Sequence, residues 1–395
     1  MNKDNWVFGI GRSFLIVLLT FSAALCSAES GYSLLNDQSG GITQGYGAWG
    51  NYSVTRKDPF DVADKGTITF YHPVKNPQKT PTIFFISGWQ REAQTYEQFF
   101  QFMASKGYVV VHILNTNPGN INSSYPNALS MIETAQQQYS EWIETRKVAL
   151  MGHSFGGGAT VWVGKRLFGS NTQAGEKNWG QDGRFIFASD PWYTFKMDKD
   201  DLQNYPANTK LLLQMNTKDP KLDPRAVRAV FKLIGIPDSE KDFVMVNSDA
   251  SSYVYNGNTF HYDANHYLIY TWAKDQWDGQ LDRPYDALDV YAINRPVDAM
   301  LDYVFNGNQA AKNIALGNGS AAQVDMGALT DLTVSDNPVF NIPSSQYNYK
   351  CDDLVNGWSS NTDIWKLYDY CRASSVNSSP ATIIPVMDML LSGSQ

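Results

Sequence analysis

The sequence lacks the short patterns that most often hold metal ions, phosphates or nucleic acids. Its 395 residues contain no C-x-x-C pair, no H-E-x-x-H sequence and no phosphate-binding loop, so we predict neither a metal ion nor a cofactor. No run of five or more basic residues occurs, and 31 basic against 39 acidic residues give a formal net charge of −8. A nucleic-acid partner is therefore not expected.

Long apolar runs are also scarce, and the one near the N-terminus is short. Lys3 and Arg12 precede the apolar residues 14–21, and residues 26–28, Cys-Ser-Ala, follow as a small-x-small cleavage site. This order is typical of a secretory signal peptide, since the run is too short for a comfortable transmembrane helix. We predict a signal peptide at residues 1–28 and a secreted or periplasmic protein without a stable membrane span. An uncleaved anchor is the alternative.

Cysteine is rare, with three residues in the chain. Removal of the signal peptide leaves Cys351 and Cys371, an even pair in an oxidising compartment, and we predict one disulfide between them. A closed loop of about 20 residues would stabilise the fold by about 3 kcal/mol on the chain-entropy model. A redox or metal-binding role would need partner residues that this region does not contain.

The chain does have the composition of a globular protein, with 43% hydrophobic and 18% charged residues. Short apolar runs alternate with segments of helical spacing. Strands are predicted at 66–71, 82–86, 108–113, 147–151 and 211–215, and helices at 96–106, 129–145 and 225–233. This alternation predicts a mostly parallel sheet with helices on both faces.

Composition also divides the chain into parts. Residues 169–183 are polar and rich in glycine, which predicts a surface loop. From about residue 311 onward, Asn, Ser, Gly and Asp dominate and the periodicity fades. We therefore predict a main domain at 29–310 and a C-terminal extension at 311–395 that the disulfide closes. A monomer is expected.

Residues 152–156, Gly-His-Ser-Phe-Gly, match the G-x-S-x-G nucleophile elbow. A predicted strand runs directly into this motif, and a run of small residues compatible with a helix follows it. On such a turn the hydroxyl of Ser154 stands clear of the backbone, and the two glycines let strand and helix approach. The motif predicts an α/β-hydrolase fold with Ser154 as the nucleophile. A glycine-rich turn with a passive serine is the alternative, which the flanking elements disfavour.

The base that activates this serine should be a histidine that follows it in the chain, after an intervening acid. There are five histidines, of which His72 and His112 precede the serine and His153 lies inside the elbow. The side chain of His153 cannot turn back onto its neighbour, which leaves His261 and His266. We favour His266 because it directly precedes an apolar run, and keep His261 as the alternative.

The acid should lie just beyond the strand predicted at 211–215, at the carboxyl end of the sheet. Asp219 is nearest to that strand end and is our first candidate, with Asp223 as the alternative. Its task is to hold the imidazole in the correct tautomer and to stabilise the charged imidazole. The alternative is that Asp219 has no catalytic role and is simply an aspartate in a turn before a proline.

Hydrolysis of an ester also needs two N–H groups directed at the developing oxyanion. The residue after the nucleophile, Phe155, supplies one of them. The loop after the strand at 82–86 should supply the second, and the Trp89 amide is our candidate. Its indole would also wall the acyl pocket, whereas a simple loop tryptophan is the alternative.

Several sequence blocks resemble bacterial cutinases and polyester (PET) hydrolases. They are residues 50–54 (Gly-Asn-Tyr-Ser-Val), 86–89 (Ile-Ser-Gly-Trp), 115–117 (Asn-Thr-Asn) and 151–158 around the elbow. The resemblance implies an α/β-hydrolase fold and a serine enzyme that cleaves carboxylic esters through an acyl-enzyme, without a cofactor.

The resemblance also implies roles for individual residues. Residues 190–192, Asp-Pro-Trp, look like the family's Pro-Trp, which implies that Trp192 lines the cleft and stacks against the substrate. The surroundings of His266 and Asp219 match the places of the family's catalytic histidine and acid. A pair of cysteines that closes a short C-terminal loop is likewise common in this family. Phe155 stands where polyester hydrolases usually carry methionine.

Two alternatives remain open at this point. The same elbow sequence occurs in platelet-activating-factor acetylhydrolases, which release short acyl chains from phospholipids, so an exported lipid esterase is one. The other is a binding module with the hydrolase fold and a silent site, although such proteins normally lose a triad member. The expected partner is thus an ester substrate: a small ester, a lipid or a polyester.

Overall fold

The computed structural model describes residues 41–75, 77–115, 118, 120–169, 178–255, 257–271, 284–335, 342 and 346–350. The predicted signal peptide at 1–28 and the predicted disulfide between Cys351 and Cys371 lie outside these residues. Among the helices of the described residues, none combines the length and apolarity that a membrane crossing requires.

The strands and helices follow one another in frequent alternation. The strands are β1 (Val54–Arg56), β2 (Phe60–Val62), β3 (Gly66–Pro73), β4 (Thr80–Ile86), β5 (Val109–Asn115), β6 (Ile143–His153), β7 (Gly183–Ser189), β8 (Lys210–Asn216), β9 (Lys241–Val246), β10 (Ser252–Tyr255), β11 (Asn258–His261) and β12 (Thr333–Val334). The α-helices are α1 (Glu97–Ser105), α2 (Ile121–Gln138), α3 (Ser154–Leu167), α4 (Lys199–Gln203), α5 (Pro224–Leu233), α6 (Ala287–Asp289), α7 (Arg295–Asn306), α8 (Gln309–Ala315) and α9 (Ala321–Val324). A π-helical turn, Val290–Asn294, leads into α7.

One large sheet organises the described part of the chain. Its order is β1-β3-β5-β4-β6-β7-β8-β9-β12, with β2 paired to β3, and β10 and β11 form a separate hairpin. The strands from β5 through β4 and β6 to β9 run parallel to one another, whereas β3 and β12 pair antiparallel at the two sides. This mostly parallel sheet flanked by helices confirms the predicted α/β-hydrolase fold.

The apolar core lies on both faces of the sheet, which explains the near-continuous apolar runs of its strands. Alternate residues of β6 point to opposite faces, as the period of two requires. Val148 and Leu150 pack in one buried cluster, and Ala149 and Met151 pack in the other. Because both faces are covered, the strand ends are held firmly, and the side chains that follow them are well placed for a site.

One predicted helix has the wrong bounds. The sequence predicts a helix over 129–145, but α2 spans Ile121–Gln138, and β6 begins at Ile143. Ile143 and Glu144 pair with Thr80 and Pro81 of β4. These residues belong to the sheet although their spacing alone is compatible with a helix, because pairing with β4 overrides local propensity.

Several elements were not predicted at all. Strands β7 and β9 both pair with β8, and both are short buried runs next to loop-like composition.

The helix expected at 225–233 is confirmed as Pro224–Leu233. Asp223 caps it by accepting a hydrogen bond from the Arg225 amide, and proline occupies the first turn, where its missing N–H costs little.

The described residues beyond 310 pack on the core of the main domain. Ala311, Ala315 and Met326 are buried in the same cluster as β6 and β9 residues, and β12 pairs with β9. Residues 346–350 return to the carboxyl ends of the strands, where the amide of Tyr349 donates to the carbonyl of Lys221 at 2.8 Å. The boundary between main domain and extension stays a prediction, but this return brings the C-terminal part next to the site.

Candidate active site

The elbow is a tight turn between β6, which ends at His153, and α3, which begins at Ser154. Ser154 has a φ of +53°, a left-handed conformation that costs energy for any residue with a side chain. A Cβ on Gly152 would lie 2.6 Å from the carbonyl carbon of Gly156, and one on Gly156 would lie 2.0 Å from the carbonyl oxygen of Ile86. Only glycine fits at both positions, so the turn can hold the serine hydroxyl outward.

Ser154, His266 and Asp219 form a hydrogen-bonded chain. His266 Nε2 lies 3.1 Å from Ser154 Oγ, and His266 Nδ1 lies 2.8 Å from Asp219 Oδ2. Since a carboxylate only accepts, Nδ1 carries the proton and Nε2 is left to accept from the serine hydroxyl. Asp219 and His266 are both buried, at 1% and 7% exposure. This is the tautomer and arrangement that a general base requires.

The alternative histidine and acid lie elsewhere. His261 is an exposed residue of the β10–β11 hairpin, where it is paired with Ser252. Asp223 caps α5 and accepts from the Arg225 side chain, whose Nε lies 2.8 Å from Asp223 Oδ1. The structure therefore brings the first-choice residues to Ser154, and not their alternatives.

The two predicted oxyanion donors border the same serine. Phe155 is the second residue of α3, and the first four N–H groups of a helix have no partner within that helix. A Cβ on Gly88 would lie 3.5 Å from Ser154 Cβ, so the loop after β4 passes beside the nucleophile. The Gly88 amide donates to the Tyr96 hydroxyl at 2.9 Å. The Trp89 amide, next along this loop, therefore stays the candidate for the second donor.

A cleft of about 490 Å³ opens beside Ser154, and aromatic side chains form much of its wall. Trp89 is 37% exposed, Tyr349 is 40% exposed, and Trp192 between them is buried at 6%. The ring centroids of Trp192 lie 6.1 Å from those of Trp89 and 5.1 Å from those of Tyr349. Trp192 thus lines the cleft, which the resemblance to polyester hydrolases implied, and two partly exposed rings flank it.

His153 has a structural task that the sequence did not reveal. It is buried, and its Nε2 donates to the carbonyl oxygen of His266 at 2.8 Å. Its Nδ1 therefore accepts from the Tyr96 hydroxyl at 3.2 Å, the same hydroxyl that accepts from the Gly88 amide. Burial, followed by the nearby His266, lowers the pKa of His153 well below its ordinary value, so it is neutral. This series of hydrogen bonds links the loop of Trp89 to the loop of His266.

Asp190 is the second site residue that sequence reasoning missed. It is fully buried, and its Oδ1 accepts from the Asn216 amide at 2.8 Å while its other oxygen accepts from the Asn216 side chain. Burial, followed by the charge of Asp219, raises the pKa of Asp190 well above its ordinary value. The Asp-Pro-Trp motif pointed to Trp192, but nothing in the sequence places its aspartate beside Asp219.

His153, Asp190 and His266 have donor atoms within 4.8 Å of one another, and among the described residues this is the group that resembles a metal site. Each of these atoms is already engaged. Both nitrogens of His153 and of His266 take part in hydrogen bonds, and both oxygens of Asp190 accept from Asn216. A metal ion would have to break these bonds, so the donor set fits a polar network better than a metal centre.

The sheet and the serine at the elbow after β6 define an α/β hydrolase. Residues 43–221 match the family model described as PET hydrolase-like, so this part of the chain is similar to that family. The match confirms the predicted resemblance to polyester hydrolases and indicates a hydrolase of ester substrates. It includes Ser154, Asp190 and Asp219, whereas His266 lies beyond its end. No curated protein was found to match the chain.

Proposed function

We propose that this protein is a serine carboxylic-ester hydrolase. Ser154 is the nucleophile, His266 is the general base, and Asp219 holds the imidazole. The observation that carries this proposal is the hydrogen-bonded chain from Asp219 through His266 to Ser154, at the wall of a cleft. The match to the PET hydrolase-like family supports the ester as the bond that is cleaved.

In the first half of the reaction, Ser154 Oγ attacks the ester carbonyl carbon while its proton passes to His266 Nε2. The tetrahedral intermediate then collapses, the bond to the alcohol oxygen breaks, and His266 returns the proton to that oxygen. In the second half, water attacks the acyl-enzyme, again with its proton taken by His266. The acid leaves and Ser154 regains its proton.

The negative oxygen of each intermediate is stabilised by the amides of Phe155 and Trp89. The amide of Phe155 lies at the N-terminus of α3, where the helix dipole also favours negative charge. Removing one such donor typically lowers kcat by about 10²–10³-fold. Asp219 contributes by stabilising the imidazolium that forms when His266 takes the proton.

The aromatic wall of the cleft favours esters with flat or short acyl groups. Trp89 and Phe155 meet edge to face, with ring centroids 5.8 Å apart, directly beside the nucleophile. An acyl group bound there would lie against these rings and Trp192. Small esters, short-chain lipid esters and polyesters all present such a group, and they differ in what extends along the cleft.

The test is hydrolysis of a p-nitrophenyl ester series, from acetate to palmitate, by the mature protein and by Ser154→Ala. We expect an optimum at short acyl chains and loss of turnover in the variant. Equal turnover by both proteins would contradict a Ser154 nucleophile. No turnover at any length by folded protein would reject simple ester hydrolysis and favour amides, thioesters or a silent binding module.

We also propose that the protein is exported after cleavage behind Ala28. The support is the order of basic residues, apolar run and small residues in the first 28 positions. Mass spectrometry of the protein recovered from the periplasm or medium should give an N-terminus at Glu29. A full-length protein in the cytoplasmic fraction would contradict export.

A further inference from the structure

Asp190 occupies a strained backbone position directly after β7. Its φ is +41°, in the left-handed region that residues with a side chain rarely adopt, and it precedes Pro191, whose ring further restricts the backbone of the residue before it. Such strain persists only where the surrounding structure fixes it. Here the Asp190 amide donates to the carbonyl of Gln214 at 2.8 Å, and its carboxyl accepts from the Asn216 amide. Asp190 is thereby clamped to the end of β8, just ahead of Asp219.

From this position Asp190 is linked to each member of the hydrogen-bonded chain. Two residues on, the amide of Trp192 donates to the carbonyl oxygen of Ser154 at 2.7 Å. The Asn216 side-chain amide bridges the Asp190 carboxyl and the carbonyl of Asn265, the neighbour of His266. The carboxyl of Asp190 is also in hydrogen-bond contact with that of Asp219. The segment of Asp190 thus joins the loops that carry the serine, the acid and the histidine: the serine through the Trp192 backbone, the acid through the Asp190 carboxyl and the histidine through the Asn216 side chain.

Two carboxyl groups in hydrogen-bond contact must hold a proton between them, since carboxylates only accept. Asp219 already accepts from His266 Nδ1 at 2.8 Å and from the Lys221 amide at 2.7 Å. The groups that face Asp190 are Asp219, Asn216, Ser189, His266 and His153, of which His153 is neutral. Burial and the charge of Asp219 raise the pKa of Asp190, so the proton resides there.

We propose that Asp190 is a protonated positioning residue, whose hydroxyl donates to Asp219 and holds that carboxylate against His266 Nδ1. This inference rests on the proposed function and adds a second carboxyl to the site. It also has a consequence for variants. When Asp219 is replaced by asparagine, Asp190 is freed from its charged neighbour and becomes the acid closest to His266.

The main test compares Asp190→Asn and Asp190→Ala in kcat and KM for p-nitrophenyl butyrate between pH 5 and pH 10. The asparagine amide still donates to Asp219, so kcat at pH 7 should stay within about threefold of the unchanged protein, whereas alanine should lower it at least about tenfold with little change in KM. Where Asp190 ionises beside Asp219 as pH rises, the profile of the unchanged protein should show an inflection that Asp190→Asn lacks. Equal damage by both substitutions at every pH would overturn the proposal. So would unchanged kcat and an unchanged pH profile in Asp190→Ala.

The second test covers the case in which Asp190→Ala does not fold. Asp219→Asn should keep residual activity, because Asp190 is still present, and the double variant Asp190→Asn/Asp219→Asn should lose at least a further tenfold or so. Equal activity of the single and double variants would overturn the proposal.

A third readout does not depend on activity. The infrared carbonyl band of a protonated carboxyl should be present at pH 7 and absent in Asp190→Asn. If this band is unchanged by the substitution, the proposal fails. If the band is lost but neither the unchanged protein nor Ser154→Ala hydrolyses any ester, the carboxyl pair stands and the proposed function fails, so the two failures are distinguishable.

Discussion

The stretch that matches the family model and the stretch that follows it contribute different parts of the site. Residues 43–221 supply Ser154, Asp219 and the rings of Trp89 and Trp192, each at or just after the carboxyl end of a parallel strand. The later residues supply His266 and Tyr349, which lie outside regular helices and strands of the sheet. The strands of the sheet therefore hold the site residues of the first stretch firmly. The site residues of the later stretch depend on contacts with that first stretch for their position.

The docking contacts are specific hydrogen bonds to the first half. His153 donates to the carbonyl of His266, and Asn216 donates to the carbonyl of the preceding Asn265. The amides of Asn348 and Tyr349 donate to the carbonyls of Pro220 and Lys221. The position of His266, the proposed base, is thus fixed by the part of the chain that carries Ser154. Loops that carry function on a rigid scaffold follow the same logic.

The largest expected effect comes from removing His266, the proposed base, which the later part of the chain supplies. His266→Ala should lower kcat for p-nitrophenyl acetate about a thousandfold or more, because Ser154 then has no group to take its proton. His261→Ala is the matched control, as this exposed histidine belongs to the same part of the chain and should leave kcat nearly unchanged. Equal losses of kcat in both variants would contradict a specific role of His266 and, with it, the contribution of the later residues to the site.

A smaller effect is expected where the two halves are joined. Tyr96→Phe removes the hydroxyl that accepts from Gly88 and donates to His153, and it leaves buried polar groups without this partner. We expect the free energy of unfolding to fall by about 1–3 kcal/mol and kcat to fall about tenfold. Tyr139→Phe, at a partly buried ring of the first half, is the control and should change neither value appreciably. An unchanged Tyr96→Phe variant would show that this link does not position His266.

The smallest effect is expected at the rim of the cleft. Tyr349→Ala removes a ring that lies 5.1 Å from Trp192, so KM for p-nitrophenyl benzoate should rise about three- to tenfold with kcat nearly constant. KM for the acetate should change less, because its acyl group reaches fewer rings. Tyr52→Ala removes a similarly exposed tyrosine that does not line the cleft, and serves as control. A rise in KM that is equal for both esters would argue against an aromatic subsite at Tyr349.

The stability of the protein should also report on Asp190 through its pH dependence. An aspartate whose folded pKa is raised binds more protons folded than unfolded, so its contribution is present below the ordinary pKa of 3.8 and is lost as pH rises through the folded value. Chemical unfolding of Asp190→Asn should therefore show a stability advantage over the unchanged protein that grows from pH 4 upward. A difference that is constant with pH would contradict a raised pKa.

Ser154, Asp219 and His266 could be predicted from the sequence more readily than the residues that support them, for a physical reason. The elbow around Ser154 is local, because the strand, the turn and the helix are neighbours in the chain, and Asp219 and His266 follow in the order that the fold demands. The helix bounds near residue 143 were wrong because pairing with Thr80 and Pro81 of β4 decides them. Such pairing is not visible in local spacing.

The supporting residues could not be predicted because they act through long-range contacts. Asp190 meets Asn216 and Asp219 only when β7 and β8 lie side by side, and β7 itself was not predicted. The buried tie between His153 and Tyr96 joins positions 57 residues apart. Tyr349 joins the cleft through backbone bonds to residues near 221, which no motif announces.

The central claim is that Ser154 is the nucleophile, and covalent labelling tests it most directly. The mature protein is treated with diethyl p-nitrophenyl phosphate, which phosphorylates activated serines, and the modified peptide is located by mass spectrometry alongside Ser154→Ala. We predict one adduct on Ser154, loss of esterase activity in step with labelling, and no adduct in the variant. Loss of activity with the adduct on another residue, or full esterase activity in Ser154→Ala, would contradict the claim.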